Sequence, residues 1–204
     1  MSVSFVQQSK DLYAASFSIS HNGYNIGQLN MKGKLGSKEG VWQGTVMGRS
    51  VVMQLDKSGT GFRPYSIKVD GNIVGSVSQM TVKTGLFSSY QYHQLVYNGT
   101  SYQLYAMCLG KAGSASSLYC GQQQLAEINK DATVYNDLHN YEVFALDEHS
   151  AFICMLLCCY MYVRGCYRPG EKVTSSVVTS VGITTTKALK EKYNPNFKST
   201  HSFY

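Results

Sequence analysis

The chain has 204 residues, enough for one sizeable domain or for a domain with an appendage. Its 16 tyrosines and 19 glycines, with only 3 prolines, favour β-structure over a helical bundle. The net charge of +6 comes from scattered basic residues rather than from a run of like charges. This balance fits a weak attraction to anionic lipid or nucleic acid, although most proteins use such a charge for solubility. We expect no nucleic-acid partner.

The ends of the sequence carry no targeting motif. The first residues, MSVSFVQQSKDLYAA, lack the basic start and the apolar core of a signal peptide. Position 2 is Ser2 rather than the glycine needed for myristoylation, and the last residues, HSFY, are not a prenylation sequence. We therefore expect a non-secreted, cytoplasmic protein with reduced cysteines, which meets a membrane only at its periphery.

Three dipeptides predict tight hairpins between β-prone runs: Asn22-Gly23, Asp70-Gly71 and Asn98-Gly99. Asparagine, aspartate and glycine tolerate the positive φ that both central positions of such a turn require. Apolar and polar residues alternate on the flanking runs, as at Phe17 and Ile19. Together these patterns indicate an antiparallel sheet.

Further short β-prone runs fill the chain, at 41–47, 50–55, 78–83, 118–121, 123–130, 133–136 and 141–148. We count about twelve strands before Asp147, with no helical period between them. Short strands at such spacings are typical of an all-β sandwich or barrel.

The segment at 150–163, SAFICMLLCCYMYV, contains no charged residue, glycine or proline. A helix that is apolar on every side must be surrounded by a membrane or by the rest of the protein. Its 14 residues span only about 21 Å, whereas the hydrocarbon core of a bilayer is about 30 Å thick. We therefore predict a buried helix over 150–164 inside a barrel; insertion into a membrane and a surface position are the alternatives.

Two consequences follow for the side chains of this helix. The predicted core residues are Phe152, Ile153, Leu156, Leu157, Tyr160 and Met161. A cysteine inside an apolar helix has a raised pKa, so Cys154, Cys158 and Cys159 are predicted to be unreactive packing groups.

The region from 122 to 163 has a distinctive order of elements. A strand with a charged end at 126–130 (AEINK) precedes short runs at 133–135 (TVY) and 141–143 (YEV), and the apolar helix follows. This region resembles the C-terminal part of the tubby C-terminal-like superfamily, closest to its phospholipid scramblase-like and LURP-one-related branch. The glycine-containing run at 73–77 (IVGSV) also fits, while the earlier strands agree only in rhythm. The resemblance implies a closed antiparallel barrel of about twelve strands around a central hydrophobic helix.

The resemblance also implies a function, a non-enzymatic binding or scaffold module for anionic lipid head groups or a protein partner. The basic residues with which tubby proteins bind phosphoinositides have no residue-by-residue match here. The candidates for head-group contacts are therefore the basic residues at strand and turn positions: Lys32, Lys34, Arg63, Lys68 and Lys83. The alternative interpretation of these residues is a solvated basic face.

The alternative function is a membrane-associated, scramblase-like lipid-handling protein whose helix leaves the barrel. The sequence departs from that pattern, because it has no proline-rich N-terminal region and no spaced acidic ligands for calcium. Asp137 and His139 share a predicted strand face, yet no nucleophile is tied to them. We predict no enzymatic activity, no cofactor, no metal site and no transmembrane span.

We divide the chain into a barrel with its helix at 1–165 and a basic extension at 166–204. Pro169 and Gly170 break the helix, a β-branched run follows at 173–186, and 185–197 has the pattern of a short helix. The extension either packs on the barrel as a strand and a short helix or acts as a mobile arm.

Overall fold

The computed structural model describes residues 1–11, 13–33, 40–57, 64–86, 89–108, 114–130, 133–134, 138–163, 177–178 and 187–201. Twelve of its strands form the barrel: β1 (Ser2–Lys10), β2 (Ala14–His21), β3 (Tyr24–Gly33), β4 (Gly40–Val46), β5 (Arg49–Leu55), β6 (Tyr65–Val69), β7 (Asn72–Lys83), β8 (Ser89–Tyr97), β9 (Thr100–Cys108), β10 (Ser114–Cys120), β11 (Gln123–Lys130) and β13 (Asn140–Ala145). The short strands β12 (Thr133–Val134) and β14 (Val177–Val178) pair with each other in a separate sheet. The mainly β fold and the closed antiparallel barrel confirm the predicted fold class.

The barrel is a meander that β13 closes. Consecutive strands from β1 to β11 are neighbours, and β13 lies between β11 and β1. Val143 faces Ile128 on one side and Val3 on the other. The Met1 amino group donates to the Ala145 carbonyl at 2.7 Å, so the first residue is held at the seam.

Strand direction alternates, so the two ends of the barrel differ. The tight-turn end carries the two-residue links: Asn22-Gly23, Met47-Gly48, Asp70-Gly71, Asn98-Gly99 and Gly121-Gln122. Both residues of the first four links have positive φ, which confirms the three hairpins predicted from the sequence and adds one at Met47-Gly48. The other connections, from β1 to β2, β3 to β4, β5 to β6, β7 to β8, β9 to β10 and β11 to β13, are made at the opposite end, which we call the loop end.

Helix α1 (Glu148–Met161) enters from the tight-turn end and lies near the barrel axis. Asp147 caps it, because its carboxylate accepts from the Ser150 backbone N–H at 2.6 Å. The predicted core residues Phe152, Ile153, Leu156, Leu157 and Tyr160 are buried, and Met161 is partly buried against the same core. No helix within the described ranges is long and apolar enough to cross a membrane.

Aromatic side chains hold the C-terminal part of the helix inside the barrel. The Trp42 indole N–H donates to the Cys159 carbonyl at 3.0 Å. Phe17 packs edge-on against both Trp42 and Tyr162, at ring-centroid distances of 5.4 and 4.9 Å.

Residues 187–201 of the extension lie against the outer face of the barrel. They contain α2 (Lys187–Lys190) and α3 (Phe197–Thr200), whose Leu189 and Phe197 are buried. Along β9, Tyr102 and Leu104 face the interior core, whereas Tyr105 packs with Leu189 in a second cluster on the opposite side of the strand. The predicted short helix at 185–197 thus corresponds to α2, while α3 was not predicted.

Candidate anion-binding surface at the loop end

Lysines gather at the loop end because several strands end there at or next to a lysine. Lys10, Lys83 and Lys130 are the last residues of β1, β7 and β11, and Lys32 is next to last in β3. Lys57 follows β5 after one intervening residue. We call these five residues the loop-end lysines: Lys10, Lys32, Lys57, Lys83 and Lys130.

Among the described residues, the acidic ones in the links at this end are Asp11 and Asp56, and both take part in local structure. The Asp11 carboxylate accepts from the backbone N–H groups of Tyr13 and Ala14, each at 2.7 Å. The Asp56 backbone N–H donates to the Pro64 carbonyl at 2.9 Å, which ties the two ends of the link after β5. Among the described residues, basic groups therefore outnumber acidic ones at the loop end.

An open depression of about 680 Å³ lies beside two of these lysines, on the outer side of β3 to β6. Lys32 and Lys57 line it together with Asp56, Val41 and Ser66. The pairing of Lys32 with Val41 across β3 and β4 sets the side chains of both toward the same face. Two ammonium groups and a hydroxyl are donors that suit a phosphate or carboxylate oxygen.

The structure brings together only some of the basic residues predicted from the sequence. Lys32 and Lys83 both lie exposed at the loop end, with β4, β5 and β6 between their strands. Lys68 lies at the tight-turn end, because β6 runs away from the loop end and Asp70-Gly71 follows it. Lys34 and Arg63 lie outside the described residues.

Sequence reasoning missed Lys10, Lys57 and Lys130 as members of the same surface. Each sits at the end of a β-prone run, and every second strand end lies at the same end of an up-and-down barrel. A correct count of the strands would therefore have placed these three lysines at the same end of the barrel.

The described part of the interior holds buried thiols and a buried histidine. Burial raises the pKa of the Cys154 and Cys159 thiols, so both remain protonated inside the helix. His139 is only 5% exposed, and burial, with smaller effects of Lys130 and Lys10, lowers its pKa to about 3. Asp137, its predicted neighbour on a strand face, lies outside the described residues.

No protein-family model, no curated protein and no solved structure matches the sequence. The likeness of 122–163 to tubby C-terminal-like sequences therefore stays a prediction from sequence.

Proposed function

We propose that the protein is a non-enzymatic, tubby-like binding module that docks on anionic lipid head groups with its loop end. The observation that carries this proposal is the gathering of the loop-end lysines on one end of the closed barrel. A lysine near an anionic leaflet contributes about 1 kcal/mol of attraction. Several of them on one surface give both affinity and a fixed orientation.

The charge of the opposite end supports the same orientation. The tight-turn end carries Asp70, Asp147 and Glu148 beside Arg49 and Lys68. Its charges of opposite sign nearly cancel, so an anionic surface attracts the loop end in preference. The depression beside Lys32 and Lys57 then gives one head-group phosphate a place to bind.

Vesicle binding tests the proposal directly. Phosphatidylcholine vesicles with and without phosphatidylserine are mixed with the protein and sedimented at low and high salt. We expect binding only to the anionic vesicles, with a steep decrease at high salt because exposed charges are screened. Replacing Lys32 and Lys57 by glutamine is expected to weaken binding about fivefold for each lysine, ~1 kcal/mol each.

The matched control is Lys68→Gln, since Lys68 lies on the same sheet but at the tight-turn end. We expect this variant to bind like the wild type. Equal binding to neutral and anionic vesicles would refute the proposal, as would an equal loss of binding in Lys68→Gln.

A further inference from the structure

Exposed apolar side chains accompany the lysines at the loop end. Leu86, in the link between β7 and β8, is 90% exposed, and Tyr13, in the link between β1 and β2, is 57% exposed. Val41 and Met80 are also exposed, at 40% and 38%. A single exposed leucine is unremarkable in a soluble protein, but its place among basic residues requires an explanation.

The β7–β8 hairpin carries Leu86 beyond β6 on one side, whereas on the other side β9 continues to Cys108 and its Tyr105 packs against Tyr90 and Tyr92 of β8. The pairing of β7 with β6 ends at Val77, and the pairing of β8 with β9 ends at His93. From Ser78 to Lys83, β7 pairs only with β8 in the described register. At about 3.3 Å per residue, this two-stranded ribbon is about 20 Å long.

The tip of the ribbon combines charge and apolar surface at short range. Lys83 closes the ladder opposite Ser89, and Leu86 lies in the link between them. Membrane-surface elements have this composition, with basic groups at the head-group level and apolar side chains at the acyl boundary. A protein partner would need an acidic groove with an apolar pocket, whereas an anionic bilayer supplies both features over its whole surface.

We infer that Leu86 is a membrane anchor, which enters the boundary between head groups and acyl chains of an anionic bilayer while Lys83 stays among the phosphates. This inference rests on the proposed function and adds a second, apolar mode of contact to it. Tyr13, on the link between β1 and β2, has the aromatic ring and hydroxyl that suit the head-group region. Replacing Leu86 by serine is expected to weaken vesicle binding about tenfold.

A tryptophan at the tip reports insertion in the full-length protein. The native chain has one tryptophan, Trp42, which is buried and bonded to the helix backbone, so its emission does not report contact with lipid. Leu86→Trp is mixed with phosphatidylcholine–phosphatidylserine vesicles, with or without brominated acyl chains. We expect a blue shift of its emission on binding and quenching by the brominated chains.

Ile73→Trp is the matched control, because Ile73 is 72% exposed and lies on the same strand at the tight-turn end. Its emission is expected to stay unquenched. Sedimentation of the same samples measures binding independently of insertion. Binding without quenching of Leu86→Trp would overturn the anchor and leave the proposed function intact, whereas absence of binding would overturn both. Equal quenching of the two variants would overturn the orientation on which the anchor depends.

Discussion

At the scale of single residues, a buried glutamine, Gln7, forms hydrogen bonds in the barrel interior near the loop end. The Gln7 amide donates to the Tyr162 hydroxyl at 2.9 Å, and its carbonyl oxygen accepts from the His139 backbone N–H at 2.9 Å. The His139 ring meets the Tyr162 ring edge-on, with centroids 5.5 Å apart. These contacts join β1, the residue before β13 and the end of the helix, and both polar atoms of the Gln7 amide have partners.

The protonation of His139 makes stability depend on pH. Its pKa falls from 6.5 to about 3 on folding, so between these values the unfolded chain binds a proton that the folded one does not. We expect the free energy of unfolding to decrease below pH 6.5, by at most ~1.4 kcal/mol per pH unit from this residue. His139→Phe should lack this part of the slope in urea unfolding measured from pH 7 to pH 4. The exposed His201, replaced by glutamine, serves as control; identical slopes in wild type and His139→Phe would contradict the assignment.

Local turn chemistry was predictable from the sequence at this scale, whereas long-range polar contacts were not. Asn22-Gly23 and Asp70-Gly71 encode their backbone angles in the two residues themselves. Gln7 and His139 are 132 positions apart, and nothing near either one indicates the other. The sequence paired His139 with Asp137 on a strand face, because only neighbours are visible in a linear pattern.

At the scale of elements, α1 could be predicted because its composition leaves it no solvent-facing side. The prediction placed its start at Ser150, the first residue of the uncharged run, whereas the helix begins at Glu148. Asp147 explains the difference, since a carboxylate that caps a helix precedes the apolar segment. The bond from Trp42 to Cys159 could not be predicted, because it depends on which strand faces the helix.

Burial of the helix gives a direct test at Leu156, which has no solvent exposure. Leu156→Asp is expected to abolish folding, because a carboxylate buried in the apolar barrel interior would lose its hydration without gaining a partner. Leu156→Ala should fold but lose about 2–5 kcal/mol of stability, as cavities in a packed core do. Circular dichroism and size-exclusion chromatography distinguish the two outcomes. Leu86→Asp, at a residue that is 90% exposed, controls for the substitution itself; a folded Leu156→Asp protein would place the helix outside the core.

At the scale of the whole molecule, the number of strands was easier to predict than the end of the barrel at which each residue lies. The runs at 73–77 and 78–83 were counted separately, but the structure joins them in one strand, β7. One extra strand reverses the direction of every strand after it, so the count did not settle which residues share an end. The gathering of Lys130 with Lys32 and Lys83 therefore appeared only in the folded barrel.

The extension at 187–201 attaches to the barrel without contributing a barrel strand, since β13 ends at Ala145 and closes the sheet against β1. It is held by the buried Leu189 and Phe197 and by a hydrogen bond from the Tyr119 hydroxyl to the Lys192 carbonyl at 3.3 Å. Lys192 also lies over the Tyr119 ring, with its ammonium group 5.3 Å from the ring centroid.

Replacing Leu189 and Phe197 by serine should therefore release the extension and leave the barrel folded. Burial of each of these apolar side chains stabilises the attachment of the extension to the barrel by about 1.5–3 kcal/mol, far more than an exposed residue of the same segment does. We expect trypsin to cleave at the lysines of 187–198 much faster in this variant, while α1 keeps slow amide exchange. Glu191→Ser, at an exposed position of the same segment, should keep the cleavage rate of the wild type. Loss of protection in α1 would show instead that the extension is part of the fold, because the barrel would then need it to hold its central helix.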